Sequence, residues 1–446
     1  MVTGLKAGVG KVAAAIGRRL NQSDVREVCA LVAIIYLAAM TVAFVSASQN
    51  HRQTVFGEPL GADFAAFYDA GTLINRYGVG KLYDLSLQAE IYHEGFPLVD
   101  RNTDIFFLNA PFLALPLPIL ARLAYPWAYA LWAIASLALY AGGFRLLWRE
   151  LKGMPEALFP TALLVAVTFM PFMVECLAGG QTTAVGFLSL ASAVLLEGRG
   201  KLFASGLALS LLTYKPTLLV LIGPMLVVTG RWRVIAGLAV GGTALGLISV
   251  GFGGWGILSR WFDALVFAGR HATSATSGLR LWKFVDLNSF ARGLADTHVA
   301  LRWIIAGTTS SVALVWLLRG WWCMRTRGEL NARANWALTL AWLPILNVYV
   351  GFYDTALLAL SVMLVTEQLY RRSTKLPLTY RLMLLALYVA PWCSQPIARS
   401  TGFQLYTLVI AAWGVFVLRD VGQQLAAKSI RRTLTLSPVV VPTENR

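Results

Sequence analysis

Residues 28–48 read VCALVAIIYLAAMTVAFVSAS and carry no charged side chain. At about 1.5 Å rise per residue, a helix of that length crosses roughly 30 Å of hydrocarbon. Apolar runs of this kind recur along the chain, near 125–147, 157–177, 182–197, 202–214, 217–229, 234–252, 299–319, 335–350, 354–370, 381–395 and 403–419. The whole composition agrees. Of 446 residues, 57% are hydrophobic and 13% charged, and mean hydropathy is +0.63. A soluble domain is about a quarter charged, so a soluble enzyme, a disordered chain and a single-anchored ectodomain are excluded. The expectation is an all-α, polytopic integral membrane protein with about twelve transmembrane helices.

The net charge of +16 raises nucleic-acid binding, but the placement of the bases answers it. They cluster between apolar runs, at Arg145/Arg149/Lys152, Arg199/Lys201, Arg231/Arg233, Arg325/Arg327/Arg333 and Arg371/Arg372/Lys375. That is the pattern of cytoplasmic loops under the positive-inside rule, and no folded soluble module remains to bind nucleic acid. An even number of spans puts both termini in the cytoplasm. Segment 1–27 is basic and cytoplasmic, with 1–20 read as an amphipathic helix on the inner face rather than a cleavable signal peptide. Residues 28–420 form the transmembrane domain and 421–446 a cytoplasmic tail.

Two outer loops follow from this register, 49–124 and 253–298. The first holds eight of the 22 acidic residues. Within it Phe64, Phe67, Tyr68, Gly71 and Ile74 recur at helical spacing, which predicts an amphipathic helix packed on the outer membrane surface. The prolines of Asn109-Ala110-Pro111 and Pro116-Leu117-Pro118 preclude one regular helix and suggest a segment that re-enters the membrane. The second loop sets Trp255, Trp261 and Trp282 among Arg260, Arg270, Arg280, Lys283 and Arg292.

Four positions invite chemistry. Asp63 opens the expected helix of the first loop, where a carboxylate can serve as a general base or simply as an N-cap. Gly179-Gly180-Gln181 lies between two spans, either a tight turn or a place where Gln181 meets a polar partner. Lys215-Pro216 breaks two short apolar legs, and a lysine there either snorkels or meets an anion such as lipid phosphate. Tyr353-Asp354 stands at the mouth of a late span, as a helix-start acid or as part of a site. Cys29, Cys176, Cys323 and Cys393 are scattered, and His51, His93, His271 and His298 lack metal-ligand spacing, so no metal site is assigned. There is no Walker loop, no dinucleotide fingerprint and no Gly-x-Ser-x-Gly. Short inner loops cannot fold nucleotide-binding machinery, so an activated substrate has to arrive in the membrane.

The order of these motifs resembles a family. An Asp-Phe…Tyr context around Asp63 and Tyr68 is followed by Leu82-Tyr83-Asp84, Asn109-Ala110-Pro111-Phe112, Gly180-Gln181, Lys215-Pro216, Arg231-Trp232-Arg233 and Tyr353-Asp354. In that order they resemble bacterial glycosyltransferase family 87, the polyprenyl-phosphate-mannose-dependent mannosyltransferases of the GT-C membrane fold. The resemblance implies that Asp63 is the catalytic base and that Lys215 faces the donor headgroup. It places Gln181 in the family's Gly-Gln turn and Tyr353 with Asp354 in a late motif where some members carry histidines. It also implies substrate contacts at Tyr68 and Asn109. One departure is Ala110, where the family usually has a second proline.

The expected reaction moves a hexose, by family mannose, from a polyprenyl-phosphate donor to a hydroxyl of a glycolipid or glycan at the outer leaflet of a bacterial inner membrane. Asp63 would deprotonate the acceptor, and Lys215 with Arg270 or Arg280 would hold the leaving phosphate. The lipid-linked donor is a substrate, and no cofactor is implied. Rival readings are a lipid-linked glycan ligase or polymerase, whose large outer loop usually comes late in the chain. A lipid or sugar flippase is another, and it predicts internal repeats that are not seen.

Overall fold

A computed structural model describes residues 22–49, 52–55, 57–100, 104–273, 281–295, 298–326, 332–348 and 350–436. The expected helix of segment 1–20 and Arg280 lie outside them. The 28–48 run lies within α1 (Gln22–Gln49), whose Leu31, Ile34, Ile35, Leu37 and Val42 are all exposed. A helix that presents large apolar side chains on most of its surface needs lipid as its solvent.

Next come α2 (Phe64–Tyr77), α3 (Leu85–Gly95), a 3₁₀ turn at Pro111–Ala114 and the short α4 (Leu117–Leu120). The long α5 (Tyr125–Trp148) follows, then α6 (Phe159–Thr168), which breaks into a π-helical turn at Pro171–Ala178. The middle of the chain contributes α7 (Thr183–Gly198), α8 (Leu202–Ser210), α9 (Leu219–Val228) and α10 (Trp232–Gly253). Two helices of the second loop, α11 (Ile257–Thr273) and α12 (Leu287–Leu294), precede α13 (Val299–Thr326) and α14 (Ala332–Trp342). A 3₁₀ turn at Phe352–Leu357 leads into α15 (Leu358–Tyr370), and α16 (Leu378–Thr401) and α17 (Leu405–Leu436) close the chain.

The protein is an all-α, multi-pass membrane protein. Among the described residues six helical stretches are long and apolar enough to cross a bilayer: α1, α5, α10, α13, Phe352–Tyr370 and Leu405–Gln424. The pair Glu156–Thr168 and Pro171–Ala178, bent by 56°, makes a seventh if it is one broken span. A count of about twelve is not confirmed by helix length and composition alone. Thr183–Gly198, Leu202–Tyr214 and Pro216–Val228 are apolar but shorter than a span. Thr183–Gly198 is largely buried among its neighbours, whereas the other two also expose Phe203, Leu207, Leu211, Val220 and Val227.

Two hydrophobic cores organise the molecule. The larger gathers Tyr140, Phe172, Phe187, Trp321, Trp336, Phe352 and Trp413 from the bundle helices. The smaller belongs mainly to the first loop and is built on Phe64, Phe67, Tyr92, Phe107, Tyr125 and Tyr129. The expected loop helix is present as α2, but protein covers it. Phe64 to Gly71 are all buried, against α4 and the start of α5. The predicted break at Lys215 is present too, between 3₁₀ turns at Leu211–Tyr214 and Pro216–Leu218.

Candidate active site

The first-loop turn carrying Asp63 docks on the turn carrying Gln181, and glycines make the approach possible. Gly180 has φ +74°, and a Cβ there would stand 2.4 Å from the Phe64 Cβ and 2.9 Å from the Gly61 carbonyl oxygen. Gly61, at φ +79°, leaves space that a Cβ would contest with the Tyr129 ring at 2.5 Å. Only glycine meets both demands of backbone and space. From α5, Trp132 Nε1 donates to the Gly180 carbonyl at 2.9 Å, and the Tyr129 hydroxyl to the Leu177 carbonyl at 2.8 Å. Ala62 has φ 38°, a strained conformation for a side-chain-bearing residue, immediately before Asp63.

Asp63 sits at the N-cap position of α2, yet its carboxylate makes no capping hydrogen bond. It accepts instead from Gln181 Nε2 at 2.5 Å. Two other helix-start acids do cap their helices. Asp84 accepts from the Leu87 N–H and Asp286 from the Ser289 N–H, as caps do. Asp63 is half-exposed and directed across to a different segment.

Lys215, Tyr353 and Asp354 also converge. The Lys215 ammonium is ion-paired with Asp354 and donates to the Tyr353 hydroxyl at 3.3 Å. Asp354 is 2% exposed and receives a further bond from Thr183 Oγ1 at 3.4 Å. Lys215 thus has an anionic partner inside the protein and does not snorkel. An ammonium has three donors, so one remains for a ligand. Thr183 lies two residues beyond Gln181, which sets the two clusters side by side. Asp63 lies within electrostatic range of Tyr353.

Other expected residues are placed differently. Asn109 accepts on its carbonyl from the Tyr83 hydroxyl at 2.6 Å, and the next amide, Ala110 N–H, bonds to the Tyr214 carbonyl beside Lys215. The Pro-rich segment therefore packs against the Lys215 break. The Tyr68 hydroxyl donates to the Leu123 carbonyl at 2.9 Å and its ring lies 4.9 Å from that of Tyr125, so it is held in the loop core rather than at Asp63. Arg270 is exposed on α11. No group of His, Cys, Asp and Glu suited to a metal ion occurs among the described residues.

Sequence reading missed Glu175, which stands in the π-helical turn and accepts from Gln395 Nε2 at 2.6 Å, within electrostatic range of Asp63 and Lys283. An acid in an otherwise apolar, bent segment was the available signal, since ionisable groups in spans are rarely idle. π-Helical turns also recur at functional sites.

The site therefore joins a half-exposed carboxylate, an amide, a lysine paired with an acid and a phenol at the end of a membrane bundle. The family profile of glycosyltransferase family 87 matches residues 107–346, more than half of the chain, including Gln181 and Lys215. No curated protein and no solved structure matches the chain. With the membrane bundle and the site both described, the profile match places the chain in glycosyltransferase family 87, as a glycosyltransferase of the GT-C type.

Proposed function

We propose that the enzyme transfers a hexose, with mannose as the first candidate, from a polyprenyl-phosphate carrier to a hydroxyl of a glycolipid or glycan acceptor, with inversion at the anomeric carbon. Family membership supports a lipid-linked donor. The observation that carries the catalytic assignment is the Asp63 carboxylate, which caps no helix and faces Gln181 in a half-exposed position. Asp63 takes the proton from the acceptor hydroxyl as its oxygen bonds to the anomeric carbon. The bond from that carbon to the phosphate oxygen breaks, and polyprenyl phosphate leaves with the electron pair. Gln181 orients the carboxylate. Lys215, steadied by Asp354 and Tyr353, offers its remaining donor to negative charge that develops as the phosphate departs.

In this reading 49–124 and 253–298 face the periplasm and both termini face the cytoplasm, as the basic loops direct. Purified protein in proteoliposomes, given radiolabelled polyprenyl-phosphate hexoses and a membrane extract, should transfer label to an extractable acceptor. Transfer from a sugar nucleotide but not from the lipid phosphate would overturn the donor assignment.

A further inference from the structure

Lys215 is already neutralised by Asp354, and several basic residues of the inner loops are also matched. Arg231 pairs with Glu197, Arg333 and Arg371 with Glu367, Arg372 with Asp420 and Arg199 with Glu150. Two further cations share a single aromatic ring. The Lys283 ammonium lies 5.5 Å and the Arg399 guanidinium 5.9 Å from the centre of the Trp282 ring. Neither is in an ion pair among the described residues.

This group is firmly built. Gln404 Nε2 donates to the carbonyls of Trp282 at 2.8 Å and Phe284 at 3.2 Å. Thr407 Oγ1 donates to the Val285 carbonyl at 2.8 Å, and the Val285 amide bonds to the Val350 carbonyl. Phe284 is bridged to Gly351, two residues before Tyr353. On α16, Gln395 lies one turn before Arg399 and bonds to Glu175, which ties the group to the edge of the Asp63 site. Two like charges gathered on one partly buried ring repel each other; Glu175 lies within electrostatic range of one of them, Lys283, and a further anion between the two would relieve the rest. Cation–π contact holds both in place for such an anion.

We infer that Lys283 and Arg399, seated on Trp282, bind the phosphate of the lipid-linked donor. The inference rests on the transferase reading and identifies the charge that holds the donor beside Lys215. The ligand chemistry is a phosphate ester, which a bilayer headgroup also supplies, so the test separates the two sources.

The test uses the full chain in nanodiscs of phosphatidylcholine, with a polyprenyl-phosphate hexose as donor. The Lys283→Gln/Arg399→Gln variant should raise donor KM by at least roughly tenfold and leave acceptor KM unchanged. Inhibition by polyprenyl phosphate should weaken by the same factor. The charge-preserving Lys283→Arg/Arg399→Lys variant should raise donor KM less than the double glutamine variant does. Should the double variant fail to fold, Arg399→Gln alone, at an exposed position, should still raise donor KM severalfold. An unchanged donor KM in a variant that melts like wild type overturns this inference and leaves the transferase reading standing. A defect seen only in phosphatidylglycerol nanodiscs assigns the cations to bilayer headgroups and overturns it too. Absence of transfer by the wild type is the result that defeats the transferase reading itself.

Discussion

Replacing Asp63 with asparagine removes a proton acceptor and leaves almost everything else in place. The new amide oxygen can still accept the Gln181 bond, 2.5 Å long in the native protein. No helix cap is lost, because Asp63 makes none. The stability change should therefore fall well below the roughly 1 kcal/mol that a lost N-cap costs. Turnover should fall by about 10²–10⁴, the usual loss for a general base. That corresponds to about 2.7–5.4 kcal/mol on the barrier, at roughly 1.36 kcal/mol per tenfold. Asp84 supplies the control, since it does cap its helix through the Leu87 N–H. Asp84→Ala should lower stability by roughly 0.5–2 kcal/mol and leave transfer intact. The assay pairs initial rates at saturating donor with thermal melting of both variants. Turnover of Asp63→Asn within a few-fold of wild type would refute the base assignment and turn attention to Glu175 and Asp354.

Lys215→Met leaves Asp354, 2% exposed, with Thr183 as its remaining bond, and should cost about 3–5 kcal/mol of stability by melting. Lys215→Met/Asp354→Leu should be less destabilised than that single variant, and additivity in the double-mutant cycle would contradict the pairing. Gly180→Ala puts a Cβ 2.4 Å from that of Phe64 at positive φ. Roughly 2–4 kcal/mol of stability should go, with kcat falling more than KM changes. Burial holds the Asp69 carboxyl well above its ordinary range, opposed by Arg52, so the native state keeps a proton that the unfolded chain releases. The contribution of Asp69 to stability should be greatest below the ordinary carboxylate pKa of about 3.9 and decline as pH rises through the raised native value. Asp69→Asn should flatten that slope in melting curves, and an unchanged slope would count against it. In a cysteine-free background, Val55→Cys and Lys201→Cys, both exposed, should label from opposite sides of the membrane; labelling from one side would break the topology.

The membrane class and α2 were legible because each depends on local pattern: a charge-free run in the first case, helical spacing of Phe64, Phe67, Tyr68, Gly71 and Ile74 in the second. The number of spans was not. Residues 183–198 and 202–228 are as apolar as a span, and hydropathy does not report whether lipid or another helix covers them. The π-helical turn before Gly179 depends on how α5 clamps it through Tyr129 and Trp132, which no local rule encodes. Asp63, Gln181, Lys215, Tyr353 and Asp354 were each legible as polar residues in costly places. Their pairing was not, because the Asp63–Gln181 and Lys215–Asp354 contacts join distant segments. Lys283 was passed over in favour of Arg270 and Arg280, since charge alone does not rank cations within one loop. The segment that carries Trp282 and Lys283 is held by hydrogen bonds from Gln404 and Thr407, more than a hundred residues away.

Asp63 adjoins Phe64 of the smaller core, and the lysine–aspartate pair adjoins Tyr214 and Phe352 of the larger one. During synthesis the first loop can fold around Phe64 long before Asp354 leaves the ribosome. Until Phe352–Tyr370 is inserted, Lys215 has no acid to hold it and the cluster beside Gln181 is incomplete. A nascent or truncated chain is thus a membrane-bound protein with Asp63 already seated in its loop and the Lys215 cluster still unassembled. Enzymatic competence arrives late in biogenesis, as a consequence of the order in which the chain is made.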